Sequence, residues 1–458
     1  MTSISESLAR FAFDLADDDV PPAVRRQAAH LLLDGAGIAY ASTTFDFARQ
    51  TLAALSSFEG GDSPVIGMPR RLALRDAVLL NGVLVHGLDF DDTHLTSVVH
   101  VTSSCLPTAL GAAVAAGRSG REMLTAYILG IEAAARLGNV ARGELNQIGF
   151  HPTGVIAAFA CALIAGKLEG LDYERLVMAQ GIVLSMAAGT REYSSDGSSS
   201  KRLHPGWAGV CGITAARLAK QGFTGPRTAY EGQFGLYATH LGKDLSRWDL
   251  GAASRDLGSQ WETAQVAIKP LPACQLSIAC IDAAIALHRQ RRFDIADIES
   301  VEALVPEHAV KIVCEPIARR RRPNSRYAAQ FSLPFDVACG LIHGRFGLAE
   351  LERHADPQIL ALADKVTYRV DPDTNYPKHF SGEIIVTLRD GRRIAHRESI
   401  NRGAADNPIS DEDIVSKFLA NAAVANVPTA DRIQRALLDI DALEDARALG
   451  DLLSQCPA

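Results

Sequence analysis

The chain has 458 residues, of which 47% are apolar, 22% charged and 6% aromatic, with a formal net charge of −7. That length points to two domains, and the balance of apolar and charged residues excludes long disorder and a coiled coil. The acidic total argues against a nucleic-acid binder, and the scarcity of aromatics favours packed helices over a β-sandwich or barrel.

The N-terminus, MTSISESLARFAFDLADDDV, is acidic and has no basic segment followed by an apolar run, so no signal peptide is read there. The longest apolar stretches, 154–166 and 101–117, fall short of the ~18 residues that span a bilayer or are interrupted by Pro107. A cytoplasmic protein with no membrane contact is expected. The eight cysteines, at 105, 161, 211, 274, 280, 314, 339 and 456, form no CxxC pair. Buried free thiols are expected, with neither disulfides nor structural zinc.

Up to about Gln265 the pattern is helical. An apolar stripe of helical period runs over 21–42 behind a Pro-Pro start signal, and others follow at 72–88, 121–137, 151–167, 173–188 and 206–222. Several are rich in Ala and Gly on more than one face, as helices buried inside a bundle are. From about Val266 the texture changes. Segments 298–305 and 363–370 read as strands, and 383–387 with 393–396 read as a hairpin around Asp390-Gly391. Helices are expected between them at 277–289 and 335–343. After Asn401 the helical pattern returns, at 411–425, 429–439 and 442–453. The fold class is therefore mainly α: an all-helical domain of residues 1–265 and 400–458, with a smaller α+β domain, 266–399, inserted into it.

Five segments could carry chemistry. The densest is Leu88-Asp-Phe-Asp-Asp-Thr-His-Leu-Thr-Ser-Val-Val-His100, with three carboxylates and two imidazoles in thirteen residues. Ionisable groups next to apolar sequence are costly to bury without a purpose. Such a segment could hold Mg²⁺ for diphosphate chemistry, but no second metal motif follows. It could equally be a proton-transfer site, with a histidine as acid or base and an aspartate orienting it. The second is Gly149-Phe-His-Pro-Thr-Gly154, where Pro152 suits a first helical turn and His151 would sit at the positive helix end. The third is the polar loop 189–206, in which Lys201 precedes a helix. Its Ser198-x-x-Lys201 resembles an acyl-transfer motif, but the partner motifs are missing. The fourth is Ile268-Lys-Pro-Leu-Pro-Ala-Cys-Gln275, whose prolines fix Lys269 where the texture changes. The fifth, Arg319–Arg322, reads as a solvated basic loop. Each has a plain reading as a cap, loop or linker. No phosphate loop, dinucleotide fingerprint, GxSxG elbow or HExxH is present.

Taken in order, DFDDTH…H, GFHPTG, a Ser-rich loop ending in KRLHPGWAG, GFTGP with EGQFG, KPLPAC and FSLPF resemble the MmgE/PrpD family. That family includes 2-methylcitrate dehydratase, cis-aconitate decarboxylase and iminodisuccinate epimerase. The resemblance runs through nearly the whole chain. It implies a large helical domain with a smaller α+β lid, a homodimer, and a metal-free, cofactor-free site between the domains for small di- or tricarboxylates. Carried over position by position, it implies Asp89, His100, His151, Lys201 and Lys269 as catalytic residues, with Thr93 binding substrate. The chain departs from the family at three points. Cys274 stands where the decarboxylases carry a histidine, Phe335 stands where tyrosine is frequent, and the acidic motif is not the FNDTW of dedicated methylcitrate dehydratases. The Asp89–His100 spacing is also one residue longer than in the decarboxylase pattern.

These departures argue against cis-aconitate decarboxylase and weaken the methylcitrate assignment; dehydration of a hydroxy acid, as in the 2-methylcitrate dehydratase-like members, is the expectation. An epimerase of an iminodisuccinate-like amino dicarboxylate and a non-catalytic carboxylate-binding homologue stay open. The chemistry needs positive charge beside a carbanion α to a carboxylate, which Lys201 and Lys269 would supply. It also needs a neutral histidine, His151 or His100, to take the proton. Asp89 is expected to orient a histidine.

Overall fold

The computed structural model describes residues 2–58, 60–290 and 292–455. The chain divides into two compact units, residues 1–268 with 410–458, and residues 269–409.

The first unit is built around helix Pro152–Leu168, in which every residue but Lys167 is buried. Its sequence, PTGVIAAFACALIAGKL, is apolar on all sides, so neighbours must cover all of it. Helices Val101–Ala116, Gly120–Ala141, Tyr173–Val183 and Leu203–Lys220 do so. Small residues set how close these helices come. A Cβ on Gly82, in helix Leu74–His86, would meet the Gly206 Cα at 2.4 Å, and one on Gly206 would meet the Leu79 carbonyl oxygen at 2.2 Å. Only glycine at both positions permits this crossing. It brings the C-terminal end of the first helix beside the N-terminal end of Leu203–Lys220.

Helix Val101–Ala116 is absent from the expected set because Pro107 lies inside it. An interior proline costs about 3 kcal/mol. Burial of Val101, Cys105, Leu106, Ala109 and Leu110 outweighs that, at about 1.5–3 kcal/mol for each large side chain. The Thr108 hydroxyl donates to the Ser104 carbonyl at 2.8 Å within the same turn.

The unit is not purely helical. Strands Gly60–Val65 and Met68–Leu72 form an antiparallel hairpin around the left-handed Gly67, and Thr93–His94 pairs with Val266–Ala267. The helix-period reading of 1–265 missed both because the strands are only two to six residues long. Helix Asp411–Val424 returns to lie on Pro22–Ser42, with Phe418 over Gly37.

The second unit holds a four-stranded mixed sheet in the order Val366–Val370, Ile298–Val305, Gly382–Leu388, Arg393–Glu398. The first pair is parallel and the others antiparallel. Along Gly382–Leu388 every second residue is buried, so Ile384, Val386 and Leu388 share one face. Helix Ile278–Gln290 packs on the hairpin strands and against Leu333–His343. Among the described residues, no helix is long and apolar enough to cross a membrane.

Candidate active site

Five of the six expected residues meet in the first unit, four of them beside helix ends and Thr93 in the short strand Thr93–His94. His86 closes helix Leu74–His86. The chain then turns through Asp89, whose φ of 50° is left-handed, a conformation aspartate tolerates better than most residues. His100 precedes helix Val101–Ala116, and His151 precedes Pro152–Leu168. Two buried helices of 16 and 17 residues thus begin at this point, with their positive ends near one another. The His100 amide donates to the Thr153 hydroxyl at 3.1 Å and ties the two starts together. Lys201 lies in the single turn Ser199–Arg202 that leads into Leu203–Lys220.

The carboxylates divide their work. Asp89 Oδ2 takes the Lys201 ammonium at 2.8 Å, and both side chains are buried. Asp89, expected to orient a histidine, is placed here against the lysine. Asp91 does the orienting. Its Oδ2 lies 2.8 Å from His86 Nδ1 and 3.4 Å from His100 Nδ1. Burial opposes the Asp91 charge, but the two imidazoles hold its carboxyl well below the usual range. Asp92 is the opposite case. Burial first, and then the neighbouring Asp91 and Asp34 charges, push it up to about 8, against hydrogen bonds from Thr102. Its Oδ1 accepts the Thr102 amide at 3.2 Å in the first turn of the following helix.

The turn is braced from beneath by Lys417, on helix Asp411–Val424. Its ammonium donates to the Phe90 carbonyl at 3.0 Å, pairs with Asp34 at 2.7 Å and lies 3.8 Å from the centre of the Phe90 ring. Thr93 stands 3.3 Å from His100 Nδ1, so its hydroxyl touches the histidine. His94 leaves the cluster and is held by Ser97 and Glu262, each at 2.9 Å.

The three imidazoles share a tautomer logic. His86 is driven down to about 4 by burial, against the pull of Asp91, so at neutral pH it is uncharged. An uncharged His86 donates Nδ1–H to the Asp91 carboxylate and keeps its lone pair on Nε2. His100 Nδ1 lies 3.0 Å from the Asp92 carbonyl oxygen, which can only accept, so Nδ1 carries the proton there too. His151 is held well below the ordinary imidazole range by burial, then by Lys201, His86, His204 and His100. Its Nδ1 contacts His204 Nδ1 at 3.0 Å. The Nε2 atoms of His86 and His151 are buried and have no hydrogen-bond partner among the described residues. Tyr193, nearly buried, stands edge-on to His151 with centroids 5.9 Å apart.

Ring nitrogens of His86, His100 and His151 lie within 4.8 Å of one another, as do single ligand atoms of His86, Asp89, Asp91 and His100. Such sets can attract a divalent ion. Here the Lys201 ammonium occupies Asp89 and bears on His86 and His151. A fixed cation among helix N-termini fits an anionic ligand better than a second cation. Lys269, the sixth expected residue, opens the second unit and is buried.

Sequence reasoning missed His86, His204 and the role of Asp91. His86 ends the run Val-Leu-Leu-Asn-Gly-Val-Leu-Val-His, which reads as core. His204 sits in the quoted KRLHPG segment but carries no signal beyond its place after Lys201.

Residues 6–248 match the family model of the MmgE/PrpD N-terminal domain, and residues 271–442 that of the MmgE/PrpD C-terminal domain. The chain is 30% identical to cis-aconitate decarboxylase of Homo sapiens, across 99% of this chain and 95% of the relative. It is 27% identical to cis-aconitate decarboxylase of Aspergillus terreus, over 100% and 96%. It is 26% identical to the cis-aconitate decarboxylase-like protein oryM of Aspergillus oryzae, over 99% and 97%.

Proposed function

The chain belongs to the MmgE/PrpD family, and from that premise we propose a cofactor-independent lyase that breaks a bond beside a carboxylate of a small di- or tricarboxylate, primarily by eliminating water from a hydroxy acid. One observation carries the reading: the buried Lys201–Asp89 pair stands beside uncharged imidazoles whose Nδ1 atoms are engaged and whose Nε2 atoms are not. Removing a proton α to a carboxylate leaves an aci-carboxylate, and the Lys201 ammonium is the charge that stabilises it. His151 Nε2 is the base, since a neutral buried imidazole accepts a proton at pH 7. His100, partly open and bonded to Thr93, is assigned the acid: it enters the step with a second proton on Nε2, gives that proton to the departing hydroxyl, and keeps the Nδ1–H that the Asp92 carbonyl holds. Lys269 is assigned the second ammonium. The working assembly is taken as a homodimer.

Decarboxylation is the second reading, favoured by the names of the relatives. Loss of CO₂ passes through the same carbanion, and the same ammonium serves it. Cys274, in place of the decarboxylases' histidine, weighs towards elimination.

A panel of citrate, 2-methylcitrate, malates, tartrates, cis-aconitate and iminodisuccinates separates these outcomes. The expected result is a rise in ultraviolet absorbance with a hydroxy acid, as a conjugated double bond forms. CO₂ release from cis-aconitate would make decarboxylation the activity. Inversion without either product would mean an epimerase. Tight binding of a carboxylate with no turnover would leave a carboxylate-binding homologue.

A further inference from the structure

The proposed base is sealed from water, yet each turnover makes it take up or give away a proton. His151 is 3% exposed, and its Nε2 has no partner among the described residues. The way out lies on the other side of its ring. His151 Nδ1 and His204 Nδ1 are 3.0 Å apart, hydrogen-bonding distance between two nitrogens of the same kind. Such a contact needs one proton shared between the two rings, and either ring can carry it.

His204 is only half-buried. It lies in the first turn of Leu203–Lys220, beside Leu203 and one turn before Trp207, which are 44% and 42% exposed. Residues three apart share a helix face, so His204 stands at the border between the buried cluster and solvent. Its seat is made by two glycines. A Cβ on Gly154 would meet the His204 Cβ at 3.1 Å and the Ala188 carbonyl oxygen at 2.5 Å. A Cβ on Gly189, whose φ is 149°, would meet His204 Nδ1 at 3.3 Å. The Gly189 carbonyl accepts the His151 amide at 2.9 Å, so the glycine that lies against His204 also holds His151. Tyr193 closes the pair on a third side, 5.9 Å centroid to centroid from each ring.

We propose that His204 is the proton relay of this site, passing protons between His151 and solvent through the Nδ1–Nδ1 hydrogen bond. The inference rests on the reading of His151 as the base. In the resting state His151 carries Nδ1–H and its Nε2 lone pair faces the cluster, while His204 accepts on Nδ1 and holds its proton on Nε2. As the substrate C–H bond breaks, an N–H bond forms at His151 Nε2. The Nδ1 proton of His151 passes to His204 Nδ1, and His204 releases its Nε2 proton to water. His151 is left neutral with its proton on Nε2, ready to act as an acid at the same atom. When it gives that proton up, the relay runs backwards and one proton enters from water. The balance over a cycle needs only water. Burial opposes charge on both rings, Lys201 faces both, and His86 and His100 face His151, so a lasting imidazolium on His151 is disfavoured. Passing the charge outward relieves that cost.

His204 acts through His151 and does not itself touch substrate, so the test must separate relay from support. The full-length protein is compared as wild type, His204→Gln and His204→Ala, the last with and without added imidazole. Glutamine keeps a hydrogen-bond partner for His151 but cannot pass a proton on. The expected result is a fall in kcat of about 10-fold or more in both variants with little change in KM, and recovery of His204→Ala by imidazole. A wild-type kcat in His204→Gln, or failure of imidazole to restore His204→Ala, would overturn the relay.

A second arm is independent of the substrate. In ¹⁵N-histidine-labelled protein, one downfield proton should couple to both Nδ1 atoms. It should exchange with water faster in wild type than the Nδ1–H of His151 does in His204→Gln. Equal exchange would overturn the relay. A wild type that shares this proton but turns over no carboxylate would sink the proposed function and leave the relay standing.

Discussion

At the residue scale, the weight of the site falls on Asp91, which no feature of the sequence separates from its neighbours. Asp89, Asp91 and Asp92 sit in one DFDD run, yet one holds a lysine, one holds two histidines and one is buried at about 8. The left-handed backbone at Asp89 and the brace from Lys417 do the sorting, and neither can be read from composition. Density of acids and histidines marks out only the segment 88–100, and it is the family resemblance that names Asp89, Thr93, His100, His151 and Lys201 as expected site residues. Neither finds His86, because a histidine ending an apolar helix looks like core. Asp91→Asn tests the assignment. An amide carries no charge and presents a donor on one side, so the Nδ1–H groups of His86 and His100 lose their shared carboxylate and His100, the proposed acid, loses its alignment. The expected loss is ~10²-fold or more in kcat/KM, measured by steady-state kinetics, with the fold intact by circular dichroism. An unchanged kcat/KM would remove Asp91 from the machinery. Lys201→Met should lower kcat/KM by a comparable ~10²-fold, and a full-rate variant would remove the ammonium from the reaction.

At the element scale, the helices were legible wherever the apolar period was unbroken. The spans expected at 21–42, 151–167 and 173–188 match Pro22–Ser42, Pro152–Leu168 and Tyr173–Val183, the last ending five residues early. Strand Ile298–Val305 and the hairpin of Gly382–Leu388 with Arg393–Glu398 were likewise readable from alternation and the Asp-Gly turn. Val101–Ala116 was not, since local proline chemistry was outweighed by burial that only the tertiary structure reveals. Helix crossings were also beyond reach. The Gly82–Gly206 contact sets where His86 and His204 lie, and it is a property of two segments more than a hundred residues apart in sequence. Gly206→Ala puts a methyl 2.2 Å from the Leu79 carbonyl oxygen. The helices must part, at about 1–3 kcal/mol in stability. Urea unfolding should show that loss together with reduced kcat. A variant as stable as wild type would mean that the crossing has slack.

At the scale of the whole molecule, stability and chemistry draw on the same buried charges. Asp92 is ordinarily ionised in an unfolded chain above pH 3.8, while in the folded protein it keeps its proton to about 8. Its contribution is fully present below the unfolded value. It is lost as pH rises through the folded one, because the folded state binds a proton that the unfolded state has released. The slope approaches about 1.4 kcal/mol per pH unit within that window. Asn at this position cannot ionise and can still accept the Thr102 amide. The stability of Asp92→Asn relative to wild type should therefore rise from pH 5 to pH 8 in urea titrations. A difference independent of pH would show that Asp92 is ionised in the fold.

In the proposed reaction an uncharged, buried histidine beside a lysine removes a proton α to a carboxylate without a metal. Proton NMR in D₂O checks this, with EDTA-treated wild type and His151→Ala each incubated with the carboxylate that the panel shows to be turned over. Wild type should show deuterium at the α position or a new vinyl signal, unaffected by EDTA. The variant should be slower by ~10²-fold or more. Full-rate chemistry in His151→Ala, or loss of activity on EDTA treatment, would contradict it.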